Sequence, residues 1–478
     1  MTHYQRLNSD TLLRMTENQV FYSGFTTLLN FDKLLNVVTL RVMHIEKLLI
    51  QNFRGLQEIA LNFPQNNLAV FIGTNGAGKS SILDCIAIML AQFIARLRNS
   101  KKLEMRFTEN DININSNFTA NTITILAGQG ERLSWKMTQE RVYTQNKSNY
   151  DDINDYIKRL QETLKLQPNL NLPVMVYYQT HRMILKNPYT FKSKGSNKVK
   201  KEAHYQLHAY EKAFSSGVND FQDFFDWFKE EEDYENEIRL RNNPEYRNPK
   251  LENVRKAITN VLGIFYNSQF SDLRVVRSTK DQDFYSDEVS SQPSLIITKN
   301  NQNFKLEQLS DGEKMLVMLV TDLARRLAIA NPNSDDALLG EGIVLIDEID
   351  LHLHPQWQRT IIRSLEETFS NCQFIVTTHS PQVLSGVRRE NVFLIENSQL
   401  VENTPYTYGK DSNSILYELM NVKQRPDEVQ QQINNCFQLI DDGHIELAKL
   451  ALHKLSILLG ENDTEVVRAN TLINFLED

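Results

Sequence analysis

Between the apolar run Leu68-Ala69-Val70-Phe71-Ile72 and a long apolar stretch of helical period lies Gly73-Thr74-Asn75-Gly76-Ala77-Gly78-Lys79-Ser80, followed by Ser81. It fits the phosphate-loop pattern G-x-x-x-x-G-K-[ST], and no other segment restricts the fold as much. Its glycines let successive backbone N–H groups turn toward one point, and the helix that follows adds a dipole favourable to an anion. A strand, a loop and a helix in that order define one unit of an open α/β sheet. Lys79 is then placed to reach the β- and γ-phosphates of a nucleotide, and Ser80 to hold Mg²⁺ through its hydroxyl. Gly73, Asn75, Gly76, Ala77, Gly78 and Ser81 complete the cradle.

Two further apolar runs end in matching chemistry. Gly342-Ile343-Val344-Leu345-Ile346 leads into Asp347-Glu348, so two carboxylates leave the C-terminal edge of a buried strand, where open α/β sheets bind ligands. Asp347 suits a partner for Mg²⁺ and its waters. Glu348, on the opposite side of the strand, suits a general base for the attacking water. Ile375-Val376-Thr377-Thr378-His379-Ser380-Pro381 repeats the pattern and brings His379 to the same edge, where an imidazole can hydrogen-bond a γ-phosphate or a water. An acidic strand end or a lone histidine is ordinary by itself. Sharing a sheet edge with a phosphate loop makes both candidate catalytic residues. His352 and His354 lack the spacing of a metal-ligating pair, and their interleaved leucines mark a packed turn. Gln179, after Val174-Met175-Val176-Tyr177-Tyr178, is a further candidate metal ligand.

Leu309-Ser310-Asp311-Gly312-Glu313 precedes an apolar helical pattern from Met315 to Ala328. Ser310 with Glu313 three residues on forms a capping box, which by itself explains both residues. A capped helix start beside a glycine is also an anion site, so both readings stay open at this point.

Composition narrows the surroundings. The 478 residues, 41% hydrophobic and 23% charged, suit a soluble protein of two or three domains. A net charge of −8 argues against nucleic-acid binding by the chain as a whole. Two local basic clusters remain: Arg96, Arg98, Lys101, Lys102 and Arg106, and then Lys192, Lys194, Lys198, Lys200 and Lys201. Both read first as solvated charge. Cys85, Cys372 and Cys436 are far apart and form no C-x-x-C pair, which argues against a disulfide framework and a zinc site and fits a reducing compartment. No apolar run reads as a membrane span.

The pattern divides the chain into an N-terminal extension, 1–42; an N-terminal part of the head, 43–129; a mainly helical insert, 130–264; a C-terminal part of the head, 265–404; and a helical tail, 405–478, suited to docking a partner.

In order along the chain, the phosphate loop, the L-S-x-G-E segment, the Val344 to Glu348 strand and Thr378-His379-Ser380 resemble the ABC-type ATPases. The resemblance implies an α/β fold, an ABC-type ATPase head (a P-loop NTPase) with a helical insert and a C-terminal helical segment. It implies ATP and Mg²⁺ as ligands and ATP hydrolysis as the activity. It also implies that Ser310, Asp311, Gly312 and Glu313 act in trans on the γ-phosphate held by a second subunit, making a homodimer or a higher homo-oligomer. Asp311 stands where transporters usually carry glycine, as in the SMC- and RecF-like branch. Asn52-Phe53-Arg54-Gly55 is similar to the opening of RecF- and OLD-type ATPases and implies that Arg54 lies near the nucleotide. His354 replaces the aspartate that many ABC proteins carry there, and does not inherit its role.

Phe225 to Glu237, with Trp227, and the tail segment Tyr408-Gly409-Lys410-Asp411-Ser412-Asn413 resemble the PtuA family, ATPases of the Septu anti-phage systems that also occur with retrons. This implies a bacterial, cytoplasmic defence ATPase whose nucleotide state controls an HNH-type nuclease, PtuB. A retron reverse transcriptase and its RNA–DNA product are further implied partners, with nucleic acid reached through the complex and no membrane involved. OLD nucleases carry a Toprim domain after a similar head; the stretch after Glu396 is too short for one, which favours a separate nuclease docked on Asp411 to Asp478. The alternative is a RecF- or SMC-like ATPase that binds DNA directly in repair or recombination. The acidic charge and the lack of long coiled-coil heptads count against it.

Overall fold

The computed structural model describes residues 43–100, 105–141, 147–180, 204–215, 220–264, 269–276, 293–420 and 422–477. The extension 1–42, Lys101, Lys102 and the basic stretch 192–201 lie outside them.

Three sheets organise the head. β1 (His44–Phe53), β2 (Leu56–Asn62), β4 (Phe118–Ala127) and β5 (Glu131–Glu140) form an antiparallel sheet in the order β2-β1-β4-β5. β3 (Leu68–Gly73), β6 (Val174–Tyr178), β10 (Gly342–Ile346), β11 (Cys372–Thr377) and β12 (Val392–Glu396) run parallel, with β13 (Gln399–Leu400) antiparallel at the edge, in the order β13-β12-β3-β11-β10-β6. Their Val/Ile-rich runs are buried on both faces, as a parallel sheet covered on both sides requires. β7 (Phe270–Val276), β8 (Ser294–Lys299) and β9 (Gln302–Lys305) form a third, antiparallel sheet.

Helix α1 (Lys79–Leu97) packs between the first two sheets and is buried nearly all round. It is long and apolar enough to cross a membrane by composition, but 78% of its apolar window is inside the fold. A helix with apolar residues on every side needs cover on every side, and the two sheets provide it. The Trp135 indole of β5 donates to the carbonyl of Met89, fastening the outer sheet to this helix.

The stretch 130–264, expected to be mainly helical, opens instead with β5, while its apolar run Val174–Tyr178 forms β6 of the central sheet. In β5 the apolar residues Leu133, Trp135 and Met137 fall two apart and point inward, so the antiparallel sheet continues past residue 129 to Glu140. Helices α2 (Asp151–Leu166), α3 (Asp220–Arg241) and α4 (Pro249–Gly263) supply the helical remainder. Helix α5 (Asp311–Ala330) lies against α4 and is tied to β6 by the Tyr178 hydroxyl, which donates to Asp322 at 2.9 Å while Arg326 pairs with the same carboxylate. Short helices α6 (Pro355–Gln358), α7 (Ile361–Thr368) and α8 (Pro381–Leu384) flank β11.

The tail divides in two. Ile415 and Leu419 of α9 (Ser412–Met420) join the main core, whereas α10 (Asp427–Asp441), α11 (Ile445–Leu459) and α12 (Thr464–Glu477) enclose a small core of their own around Ile433, Cys436, Leu455 and Ile473.

Register decides where the site forms. Ile346 of β10 pairs with Val376 of β11 and with Tyr178 of β6, Thr377 with Phe71 of β3, and Gly73 with Ile395 of β12. The five parallel strands therefore end along one edge, which carries Gly73, Asp347, Thr377 and Gln179 together.

Candidate active site

The phosphate loop leaves β3 at Gly73 and enters α1 at Lys79, with Thr74, Asn75 and Gly76 exposed at its crest and Ala77 buried. Gly78 caps α1 with φ 108°, a left-handed backbone in which a Cβ would also sit 2.6 Å from Cδ2 of Leu56. Glycine is therefore required here, and it leaves the helix start without a side-chain cap or an acidic residue in its first turn. The unfilled N–H groups and the dipole suit an anion. The Lys79 ammonium folds over the loop and donates to the carbonyls of Gly73 and Thr74, each at 3.0 Å. Burial lowers its pKa, while Asp347, Glu348 and Asp350 act in the opposite sense. Ser80 lies exposed one residue on, and Ser81 is half-buried beside it.

Asp347 is buried at the end of β10 and accepts three hydroxyl donors: Ser80 at 3.1 Å and Thr377 at 2.6 Å on Oδ1, and Thr180 at 2.7 Å on Oδ2. Ser80 and Asp347 thus present oxygens side by side, the hard donor set that Mg²⁺ takes. Glu348 follows in a left-handed conformation, φ 48°, and is half-buried. Such backbone in a non-glycine residue costs about 1–3 kcal/mol and persists only where its surroundings hold it. Here the Glu348 N–H donates to Thr377 Oγ1 at 2.7 Å.

His379 follows β11, with its backbone N–H donating to Asp350 Oδ1 at 3.2 Å and the neighbouring Thr378 hydroxyl donating to the same oxygen at 2.6 Å. Burial, then the Lys79 cation, push the imidazole pKa below its ordinary value; Asp350, Glu348 and Asp347 pull upward without restoring it. Arg54, at φ 50° in the turn between β1 and β2, is held by Asp84 of α1 at 2.5 Å and by Asp111 at 2.9 Å. Burial opposes its charge, yet the two carboxylates raise its pKa overall. Asp84 lies one turn beyond Ser80 and also accepts from the Tyr177 hydroxyl at 2.9 Å, so Arg54 reaches the phosphate-loop helix through an ion pair. Gln179 follows β6 directly, but it is its neighbour Thr180 whose hydroxyl is bonded to Asp347.

Ser310 caps α5 in a reciprocal capping box with Glu313, worth about 1 kcal/mol of helix stability. Burial alone would raise the Glu313 carboxyl, but an ion pair with Lys299 of β8 and donors from Ser310 lower it. Ser310 and Asp311 are exposed, and among the described residues the side-chain hydrogen bonds of Ser310 are all to Glu313. Gly312 is buried against the turn after β10, where a Cβ would meet the carbonyl oxygen of His352 at 2.3 Å. His354 caps α6 by accepting from the Gln356 N–H at 3.3 Å.

Residues 43–384, which contain every one of these groups, match the AAA ATPase domain family. The chain belongs to that family. It is 33% identical over 423 residues to the "Retron Ec83 probable ATPase" of Escherichia coli, covering 79% of this chain and 76% of that one. It is 32% identical over 422 residues to the "Retron Vc95 probable ATPase" of Vibrio cholerae serotype O1 biovar El Tor, covering 81% and 80%. To "Septu protein PtuA" of Bacillus mycoides (strain KBAB4) it is 28% identical over 366 residues, 74% of this chain and 41% of that longer one. The chain is thus an ATPase of the retron and Septu defence type, as the insert and tail already implied.

Three residues that the structure adds to the candidate site were not singled out in the sequence: Thr180, Thr377 and Asp84. The first two are small hydroxyls at strand ends, visible only as the residues beside Gln179 and before Thr378. Asp84 could have been found from helical spacing, since it shares a face of α1 with Ser80.

Proposed function

We propose that this ATPase binds ATP with Mg²⁺ at the shared strand edge, pairs two heads across the nucleotide, and uses the nucleotide state to control a separate HNH-type nuclease. The observation that carries the reading is the convergence of an uncapped helix start, Lys79, Ser80, Asp347, Glu348 and His379 on one sheet edge. Lys79 and the loop N–H groups from Gly73 to Ser81, Asn75 among them, hold the phosphates. Ser80 and Asp347 would hold Mg²⁺, with Gln179 near it; the ion supplies charge neutralisation at the phosphates. Glu348 takes the proton of the attacking water, and a neutral His379 donates to the γ-phosphate. Arg54, anchored by Asp84 and Asp111, adds positive charge beside the loop.

The trans role of Ser310, Asp311 and Gly312 is supported by the exposure of the first two at a helix N-terminus, with Glu313 supporting them from below. Ser310→Arg is expected to leave the monomer folded and to abolish ATP-dependent association measured by light scattering. Association at the wild-type level would remove the trans assignment.

Docking of the nuclease is assigned to α10–α12, within the tail 405–478. The small separate core there leaves Leu447, Leu450, Ile457, Leu458 and Phe475 exposed. Ending the chain before Pro426 keeps α9 in the head core; ATP hydrolysis is expected to persist while co-purification of an HNH-type nuclease co-expressed with it is lost. Retained co-purification would overturn the assignment. The retron Ec83 and Vc95 relatives support a reverse transcriptase and its RNA–DNA product as further partners of the complex.

A further inference from the structure

We infer that Thr377 is a positioning residue for hydrolysis, its single hydroxyl fixing the metal-side carboxylate and the general-base residue relative to each other. Thr377 is fully buried at the last position of β11. Its Oγ1 donates to Asp347 Oδ1 at 2.6 Å and accepts from the Glu348 N–H at 2.7 Å. Its carbonyl oxygen accepts from the next N–H, that of Ile349, at 3.0 Å. One residue therefore grips three consecutive positions of the turn that leaves β10.

A hydroxyl has one proton and two lone pairs, so donating to a carboxylate and accepting an amide use it in complementary senses. The bond to the carboxylate is charge-assisted and correspondingly strong. The grip matters most at Glu348, whose left-handed backbone, φ 48°, departs from the extended strand before it. Relaxation of that residue toward ordinary backbone would swing its carboxylate away from the phosphate edge. Neighbouring Thr378 makes the parallel bond to Asp350, so two successive threonines latch the end of β11 to the turn after β10 and set the separation of Glu348 from His379.

The inference rests on the reading of Glu348 as base and Asp347 as the Mg²⁺-side carboxylate, and the test separates the two. In the full chain, Thr377→Val keeps the branched shape and removes the hydroxyl, while Thr377→Ser keeps the hydroxyl. The expected result for Thr377→Val is an ATP Kd within about 3-fold of wild type and a kcat lowered about 10–100-fold, the range seen when a group supporting a metal-site ligand is lost. The Mg²⁺ concentration for half-maximal hydrolysis should rise several-fold as well. Thr377→Ser should restore kcat and the Mg²⁺ dependence. If Thr377→Val does not fold, Thr377→Cys against Thr377→Ser gives the same contrast at matched size. Wild-type kcat without the hydroxyl, or equal losses with and without it, would overturn the inference. Glu348→Gln run alongside distinguishes failures: if it hydrolyses ATP normally, the base reading fails, whereas if only the Thr377 variants behave as wild type, the positioning role fails.

Discussion

Glu348→Gln is expected to retain ATP and to lower turnover by about 10²–10⁴-fold, the usual contribution of a positioned general base. Glutamine matches glutamate in size and keeps the backbone N–H that Thr377 holds, so the turn after β10 stays in place. What is lost is the carboxylate proposed to accept the proton from water. Asp347, Ser80 and Lys79 are untouched, and binding therefore survives. Single-turnover hydrolysis with calorimetric measurement of ATP affinity checks both halves. In the paired-head reading, the variant should also accumulate ATP-bound assemblies, because the step that separates the heads is blocked. Turnover at the wild-type rate would move the base elsewhere, with His379 the next group to test.

Lys79→Ala is expected to weaken ATP binding by about 100-fold or more, since two charge-assisted hydrogen bonds to phosphate at about 1.5–3 kcal/mol each are lost. The loss is aggravated by what stays behind. The charges of Asp347, Glu348 and Asp350 act on the ammonium, and without it they are left uncompensated near the phosphates. The same variant has a second readout at His379. Burial and the Lys79 cation together hold that imidazole below the ordinary histidine value of 6.5, so it stays neutral at pH 7, and protonation sets in only at lower pH. Removing the cation should raise the His379 midpoint in an NMR titration, though not fully, because burial, the larger cause, remains. A midpoint unmoved in Lys79→Ala would show that the lysine charge does not reach the imidazole.

The candidate site was legible because its parts are local. A phosphate loop is a continuous stretch whose glycines, lysine and serine act through backbone geometry set within a few residues. Asp347-Glu348 and His379 were legible for a related reason: each follows an apolar run, and buried parallel strands place their C-terminal residues on one edge. The capping box at Ser310 was equally readable, since its bonds span three residues.

Other features needed the fold. β5 was hidden because its alternate polar residues, Arg132, Ser134, Lys136 and Thr138, gave the stretch a polar character, and only pairing with β4 shows Leu133, Trp135 and Met137 buried on one side, with Trp135 bonded to α1. Arg54 carried a recognisable motif, but its partners Asp84 and Asp111 lie far along the chain, so the ion pair that anchors it was invisible. The tail read as one helical segment, yet it divides after α9, because Ile415 and Leu419 find the head core while α10–α12 bury their apolar residues on one another.

The phosphate loop on which this chain's fold turns was thus determined by the sequence alone, together with the identities of the carboxylates and the histidine that accompany it. The tertiary structure decided their mutual arrangement. Register between strands brought Thr180 and Thr377 onto Asp347 from opposite sides, and packing of Gly312 on His352 joined the start of α5 to the same turn. These are contacts between residues distant in sequence, fixed by close packing of buried side chains, and no local pattern of residue types encodes them.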